Sequence, residues 1–263
     1  MHKQYAILTS GGDSPGMNAV IRAFTRRALH DEIKVFGITG GYEGLLNADF
    51  NELKARDVGM VIQQGGTMLT TSRSERFTHP EFQKKAAAIL NDRKIDALCV
   101  VGGDGSFRGM AALSEFYKGQ LIGIPGTIDN DIPGTDYTIG FDTAVSTAVW
   151  AIDKIRDTAS SHSRMIFVEV MGRHSGQIAL SVALAAGAED VLIPEEKTNI
   201  DSLVERLESG RKTGKKFGIV VVAEGDDAGG AFKIAEQVTG KTGLTIKVSV
   251  LGYIQRGGAT HRH

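Results

Sequence analysis

A short apolar run, Ile95–Val101, stops in the glycine-lined turn Gly102-Gly103-Asp104-Gly105-Ser106, and no other feature constrains the fold of this chain as much. A valine-rich run of this kind reads as a buried parallel strand. Beyond the turn, Phe107, Met110, Ala111 and Leu113 recur at helical spacing. The local reading is strand, tight turn, helix. Glycines at such a turn let the backbone approach a phosphate closely, and the start of a helix favours negative charge. Asp104 has two readings: a carboxylate for Mg²⁺, which needs only one or two protein oxygens, or a helix cap.

A second segment, Pro125-Gly-Thr-Ile-Asp-Asn-Asp131, follows another short strand, Leu121–Ile124. In an extended stretch alternate side chains share a face, which would bring Thr127, Asp129 and Asp131 into one space. The heptapeptide holds no basic residue. One of its carboxylates is suited to take the proton of an attacking sugar hydroxyl; the other reading is a solvated acidic turn. Taken together, the two segments hold what phosphoryl transfer to an alcohol needs.

Around these segments the elements alternate. Gln4–Thr9 reads as a strand and Gly16–Leu29 as a helix with the stripe Met17, Val20, Ile21, Phe24 and Ala28. Ile33–Ile38 reads as a strand, Gly40–Gly44 as a glycine-rich loop, Val58–Gln64 as a short helix and Phe82–Leu90 as a helix. Ala144–Ala159 is a long helix, followed by a strand at Met165–Val170 and a helix at Ile178–Ala186. Val191–Ile193, Ile200–Leu207, Phe217–Ala223, Phe232–Gln237 and Leu244–Val250 continue the alternation. Alternation without close hairpins predicts α/β architecture with parallel sheets covered on both faces. In such sheets ligands sit beyond the carboxyl ends of the strands, where nearly all the glycine loops fall.

At 263 residues the chain is long enough for one large or two smaller domains. A formal net charge of −1 gives no reason to expect nucleic acid or an anionic membrane as partner. The one cysteine, Cys99, excludes an intramolecular disulfide and suits a reducing cytoplasm. No apolar stretch is long enough to span a bilayer, and the start Met1-His-Lys-Gln is no signal peptide. The seven histidines show no metal-ligand spacing.

The ordered blocks LTSGGDSPGMNAVIR (Leu8–Arg22), GGDGS, PGTIDNDIPGTDYTIGFDTA (Pro125–Ala144), DKIRDTASSHSR (Asp153–Arg164), VMGRHSG (Val170–Gly176), VVAEG (Val221–Gly225) and LGYIQRGG (Leu251–Gly258) run almost from end to end. On these blocks the chain resembles the bacterial-type ATP-dependent 6-phosphofructokinases. The resemblance implies two Rossmann-like three-layer α/β/α domains with mainly parallel sheets and an active site in the cleft between them. An ATP-binding domain would span residues 1–140 plus 255–263, and a fructose 6-phosphate domain 141–254. The implied reaction moves the γ-phosphoryl of ATP to the 1-hydroxyl of fructose 6-phosphate, with Mg²⁺. By matching motif, Gly12, Arg73, Ser74 and the turn Gly103, Asp104, Gly105 and Ser106 would hold ATP, with Asp104 as the metal residue. Asp129 would be the base, with Thr127 and Asp131 beside it, and Arg173 would neutralise charge on the transferring group. Ile128, Met171, Gly172, Glu224, Tyr253 and Arg256 would line the sugar, while Arg164 and Lys247 would grip its phosphate from a neighbouring subunit. Arg22, Arg26, Arg156, Gly187, Glu189 and Lys215 match an ADP/phosphoenolpyruvate effector site, and the resemblance further implies a homo-oligomer, a tetramer.

Each carried-over residue has a plainer alternative: helix surface charges for Arg22, Arg26 and Arg156, a cap for Glu224, core for Met171. Relatives that use pyrophosphate carry a second aspartate after GGD and a lysine before TIDND, whereas this chain has Gly105 and Gly126, which favours ATP. Lys247 replaces a family arginine and Tyr253 a common histidine, and the expectation is weaker sugar-phosphate affinity. Thr213 and Phe217 replace basic or imidazole positions, so altered allostery is expected. Family members run on past QRGG, and a chain ending here would lack packing on its first domain. A truncated, non-catalytic regulatory homologue, a pyrophosphate-dependent enzyme, and a lipid or NAD kinase sharing the GGDG turn stand as the alternatives.

Overall fold

The computed structural model describes residues 3–258 and 260, which fall into two compact units. The first takes in 1–127, 132–140 and 256–263; the second takes in 128–131 and 141–255. Ala259 and 261–263, part of the return to the first domain expected from the sequence, lie outside the described residues.

In the first unit the elements are β1 (Gln4–Thr9), α1 (Met17–His30), β2 (Lys34–Ile38), α2 (Gly41–Leu46), β3 (Phe50–Glu52), α3 (Pro80–Asp92), β4 (Ala97–Gly102), α4 (Asp104–Leu113) and β5 (Gln120–Pro125). They form one sheet in the order β3-β2-β1-β4-β5. All pairings are parallel except β2 with β3. The side chains of β1 and β4 alternate between the faces, as the pleat requires. Ala6, Leu8, Leu98 and Val100 pack with α2, α3 and α4, while Ile7, Cys99 and Val101 pack with α1. β4 is buried along its whole length, and each of its large side chains contributes about 1.5–3 kcal/mol of hydrophobic stabilisation. β5 is an edge strand, with Ile122 39% exposed.

The second unit repeats the plan with α5 (Phe141–His162), β6 (Met165–Val170), α6 (Gln177–Ala186), β7 (Asp190–Leu192), α7 (Ile200–Lys212), β8 (Gly218–Ala223), α8 (Gly230–Thr242) and β9 (Ile246–Val250). Its four strands are all parallel, in the order β7-β8-β6-β9. Val168, Val170 and Val221 pack against α5 and α6; Phe167, Val220 and Val222 pack against α7 and α8. The expected α/β class with two three-layer, mainly parallel halves is the architecture observed.

Local expectations differ from the structure in four places. Gly40–Gly44 is the start of α2 rather than a loop. Its glycines serve close packing: a Cβ on Gly44 would lie 1.6 Å from the Thr39 carbonyl oxygen. Val58–Gln64 forms turns and no helix, because Met60 takes a left-handed backbone with φ 56°. β3 was not anticipated, and it adds an antiparallel pair. Finally, the stretch 127–131 is bent instead of extended, with Asn130 left-handed at φ 53°. The pleat argument for Asp129 and Asp131 sharing a face therefore fails, and Asp129 is buried while Asp131 is exposed.

Candidate active site

In the first unit, β4 delivers Gly102-Gly103 to the start of α4. The Gly103 carbonyl accepts from Ser106 N at 3.0 Å and Phe107 N at 3.1 Å. The earlier amides of the helix, those of Asp104 and Gly105, take no intrahelical acceptor and mark an anion-binding end. A Cβ built on Gly105 meets nothing within 4 Å, so this side of the turn is open. Asp104 lies in the first helical turn and does not cap it: the cap residue is Gly103, without a side-chain bond. Its half-exposed carboxylate pairs with Arg108 at 2.9 Å.

The surrounding loops are stitched to this turn. Ser106 donates its hydroxyl to the Ser10 carbonyl at 3.1 Å, and its own carbonyl accepts from the Tyr42 hydroxyl at 2.7 Å. Burial pushes the Tyr42 hydroxyl well above its ordinary pKa. Thr71 donates to the Gly11 carbonyl at 2.9 Å, which brings the segment holding Arg73 and Ser74 to the loop of Gly12. Arg256 belongs to the same unit. Its guanidinium grips the Asp13 carboxylate and donates to the Asp13 carbonyl at 3.1 Å. A Cβ on Gly12 would come within 3.0 Å of it. At Gly126 a Cβ would lie 3.0 Å from Val101 Cγ1, and the Ser14 hydroxyl donates to the Gly126 carbonyl.

In the second unit, Asp129 is 9% exposed and its carboxylate lies 3.9 Å from Arg173 Nε. Ile128 anchors the segment by packing into the core against α5. Arg173 follows β6 in a left-handed conformation, φ 53°. Glu224, at the end of β8, holds that loop: one carboxylate oxygen accepts from Arg173 N at 2.8 Å and Gly172 N at 3.3 Å. The Met171 amide donates to buried Gln255 at 3.0 Å. Asp129, Arg173, Met171, Gly172 and Glu224 thus form one cluster beyond the carboxyl ends of β6 and β8, and Tyr253 follows β9 at the same end.

Arg164 and Lys247 do not join that cluster within the chain. Arg164 precedes β6, and Lys247 pairs with Ile166 near the start of β9. A six-residue strand such as β6 separates the two ends of the sheet by about 20 Å. At this opposite end lies an open groove of about 1130 Å³, lined by Arg164, Arg206, Arg211, Lys212, Lys215 and Lys216 together with Glu189. Lys215 is ion-paired to Glu189, and Arg156 caps α6 by donating to the Ala186 and Gly187 carbonyls. Four of the six effector candidates therefore gather around one end of the second unit. Arg22, on the first unit, donates to the Val58 carbonyl at 2.6 Å, and Arg26 is exposed.

Sequence reading missed the partners that position these groups. Tyr42 and Glu43 of α2, Asp13 beneath Arg256 and Gln255 beneath Met171 lie far in sequence from what they hold. Among the described residues no group of three or more His, Cys, Asp or Glu is placed to hold a metal, and no helix is long and apolar enough to cross a membrane.

The family model described as Phosphofructokinase matches residues 4–263. The chain is 54% identical to the ATP-dependent 6-phosphofructokinase of Brevibacillus brevis, over 98% of this chain and 80% of that protein. It is 53% identical to the protein of the same description from Staphylococcus carnosus, with the same coverage. The structure of phosphofructokinase from Saccharomyces cerevisiae matches with a TM-score of 0.89 and 36% identity, over 98% of this chain and 39% of the yeast chain. With the phosphate turn, the acid–guanidinium cluster and these likenesses in agreement, the chain belongs to the phosphofructokinase family.

Proposed function

We propose that this chain transfers the γ-phosphoryl group of ATP to the 1-hydroxyl of fructose 6-phosphate, giving fructose 1,6-bisphosphate and ADP. The observation that carries the chemistry is the buried Asp129 carboxylate with the Arg173 guanidinium 3.9 Å away. Asp129 takes the proton of the attacking hydroxyl, so that the oxygen's electron pair is free to form the new P–O bond as the bond to the ADP oxygen breaks. Arg173 offsets the negative charge on the transferring group. Thr127 and Asp131 stand beside the base in sequence. Ile128, Met171, Gly172, Tyr253 and Arg256 are the sugar-side candidates, and Glu224 serves that side by holding the Gly172–Arg173 loop.

On the nucleotide side, the free amides at the start of α4 and the loop at Gly12 suit the phosphates, with Arg73 and Ser74 nearby. Asp104 fits Mg²⁺: it is a half-exposed acid beside an anion-binding helix end, and that ion takes most of its oxygens from phosphate and water. When bound there, the ion would neutralise phosphate charge. Gly126 supports ATP over pyrophosphate as donor, because the contact with Val101 leaves no room for a lysine stem without displacement.

Lys247 and Arg164 lie at the far end of the sheet from Asp129, which supports their service to a neighbouring subunit in a homo-oligomer, a tetramer. Arg22, Arg26, Arg156, Gly187, Glu189 and Lys215 remain the effector candidates for ADP or phosphoenolpyruvate. The single buried thiol supports a cytoplasmic setting. A coupled assay with fructose 6-phosphate and either ATP or pyrophosphate, with and without Mg²⁺, tests the proposal. Turnover with ATP and Mg²⁺ alone is expected; none with ATP at any enzyme concentration overturns it.

A further inference from the structure

We propose that Glu43 is a positioning residue for nucleotide binding, its carboxylate fixing the Arg73–Ser74 segment against α2 by gripping Ser74 and Arg76 at once. The inference rests on the reading above that this segment holds ATP. Glu43 lies in the first turn of α2. One of its carboxylate oxygens accepts from the Ser74 hydroxyl and from Arg76 Nε at 3.4 Å, and the other takes a terminal Arg76 nitrogen. Ser74 is thereby turned so that its oxygen accepts from the Phe77 amide at 3.2 Å.

The contacts continue on both sides. Phe77 is buried and stacks on Tyr42, with ring centroids 4.0 Å apart, and Tyr42 in turn holds the Ser106 carbonyl of the phosphate turn. Upstream, Ser72 donates to the Gly40 carbonyl at 2.7 Å. Between β3 and α3 the chain has one short 3-10 turn, Arg76–Thr78, and no other helix or strand. A loop of this kind has little regular structure of its own to hold it. The start of α2 supplies the hold, and Glu43 is its only charged member.

Two further observations agree. Hydrogen bonds from Arg76 and Ser74 keep the Glu43 carboxyl below the ordinary carboxylate range, so it stays ionised at neutral pH. Arg73, one residue before Ser74, is exposed. With Arg76 committed to Glu43, Arg73 is the cation of this segment left to meet a phosphate.

The test uses the full chain as wild type, Glu43→Ala and Glu43→Gln. Steady-state kinetics are measured for each substrate, and amide hydrogen exchange over 70–77 is measured without nucleotide. For Glu43→Ala we expect KM for ATP to rise about tenfold, with kcat and KM for fructose 6-phosphate within about twofold of wild type, and faster exchange at Arg73–Phe77. Glu43→Gln keeps an acceptor for Ser74 but no charge for Arg76, and falls between the two. An unchanged KM for ATP with wild-type exchange overturns the inference. So does a joint shift of both KM values and kcat, the mark of a general loss of structure. A wild-type chain that turns over no ATP overturns the functional reading, and with it the nucleotide role of Glu43, even where exchange shows the segment released.

Discussion

Replacing Glu224 with alanine tests how Arg173 is aimed. Arg173 holds a left-handed backbone, which costs a residue with a Cβ roughly 1–2 kcal/mol. The compensating contacts are the two backbone amides, of Arg173 at 2.8 Å and Gly172 at 3.3 Å, that donate to one Glu224 oxygen. A hydrogen bond to a charged group is worth roughly 1.5–3 kcal/mol, and the exposure of this carboxylate puts it at the lower end of that range. Without the acceptor, the observed conformer loses what offsets its strain, and its population falls to about a tenth, since about 1.4 kcal/mol is a factor of ten. The guanidinium near Asp129 goes with it. In a coupled assay, Glu224→Ala is expected to lose about tenfold in kcat, with KM for fructose 6-phosphate changed by less than about threefold. Glu224→Gln keeps a neutral acceptor and recovers part of the loss. A folded Glu224→Ala with kcat within about twofold of wild type refutes the reasoning. A rise in KM for the sugar at constant kcat refutes it too, and assigns the carboxylate directly to substrate binding.

Asp129→Asn removes the proton acceptor, and a kcat loss of about 10²–10⁴-fold with both KM values little changed is expected; a variant keeping a tenth of wild-type turnover contradicts the assignment. Lys247→Arg replaces a point charge with a forked cation, and KM for fructose 6-phosphate should fall; an unchanged value counts against the proposed phosphate contact. Alkaline stability follows from Cys99, whose thiol burial pushes up to about 12, and from Tyr117, also pushed up to about 12 by burial and by Asp96. Both are acids that hold their proton in the folded chain where the unfolded chain releases it. Stability therefore falls as pH rises from about 9 towards 12, by at most about 1.4 kcal/mol per pH unit for each group. Urea midpoints at neutral and alkaline pH should converge in Cys99→Ala relative to wild type; an equal alkaline loss in both excludes the thiol as a contributor.

Much of the architecture was legible because single segments decide it. β4 and β8 are apolar throughout and flanked by glycine or charge, so their identity as buried strands depends on nothing distant. α2 was not legible: Gly40, Gly41 and Gly44 read as breakers, and the reason for Gly44, the Thr39 carbonyl beside it, exists only once the helix packs. Val58 and Val61 keep helical spacing and are both buried, yet the left-handed Met60 between them makes turns. The candidate site divides the same way. Motifs name Arg173, Ser106 and Arg256 locally, but the partners that hold them, Glu224, Tyr42 and Asp13 in turn, are brought near only by the fold. The bend at 128–130 shows the limit of the pleat rule, since one left-handed asparagine separates two acids that extended backbone would have aligned.

The two rims of the first sheet are unequally guarded. β3 is three residues long, antiparallel to its neighbour, and carries an exposed Glu52, a blunt and charged border that discourages strand addition. β5 offers twice that length with no charged side chain, partly bare isoleucine and a proline only at its last position. In a crowded solution sticking between chains should begin along β5, and a lysine introduced at Ile122 is the economical way to make the molecule better behaved in concentrated samples.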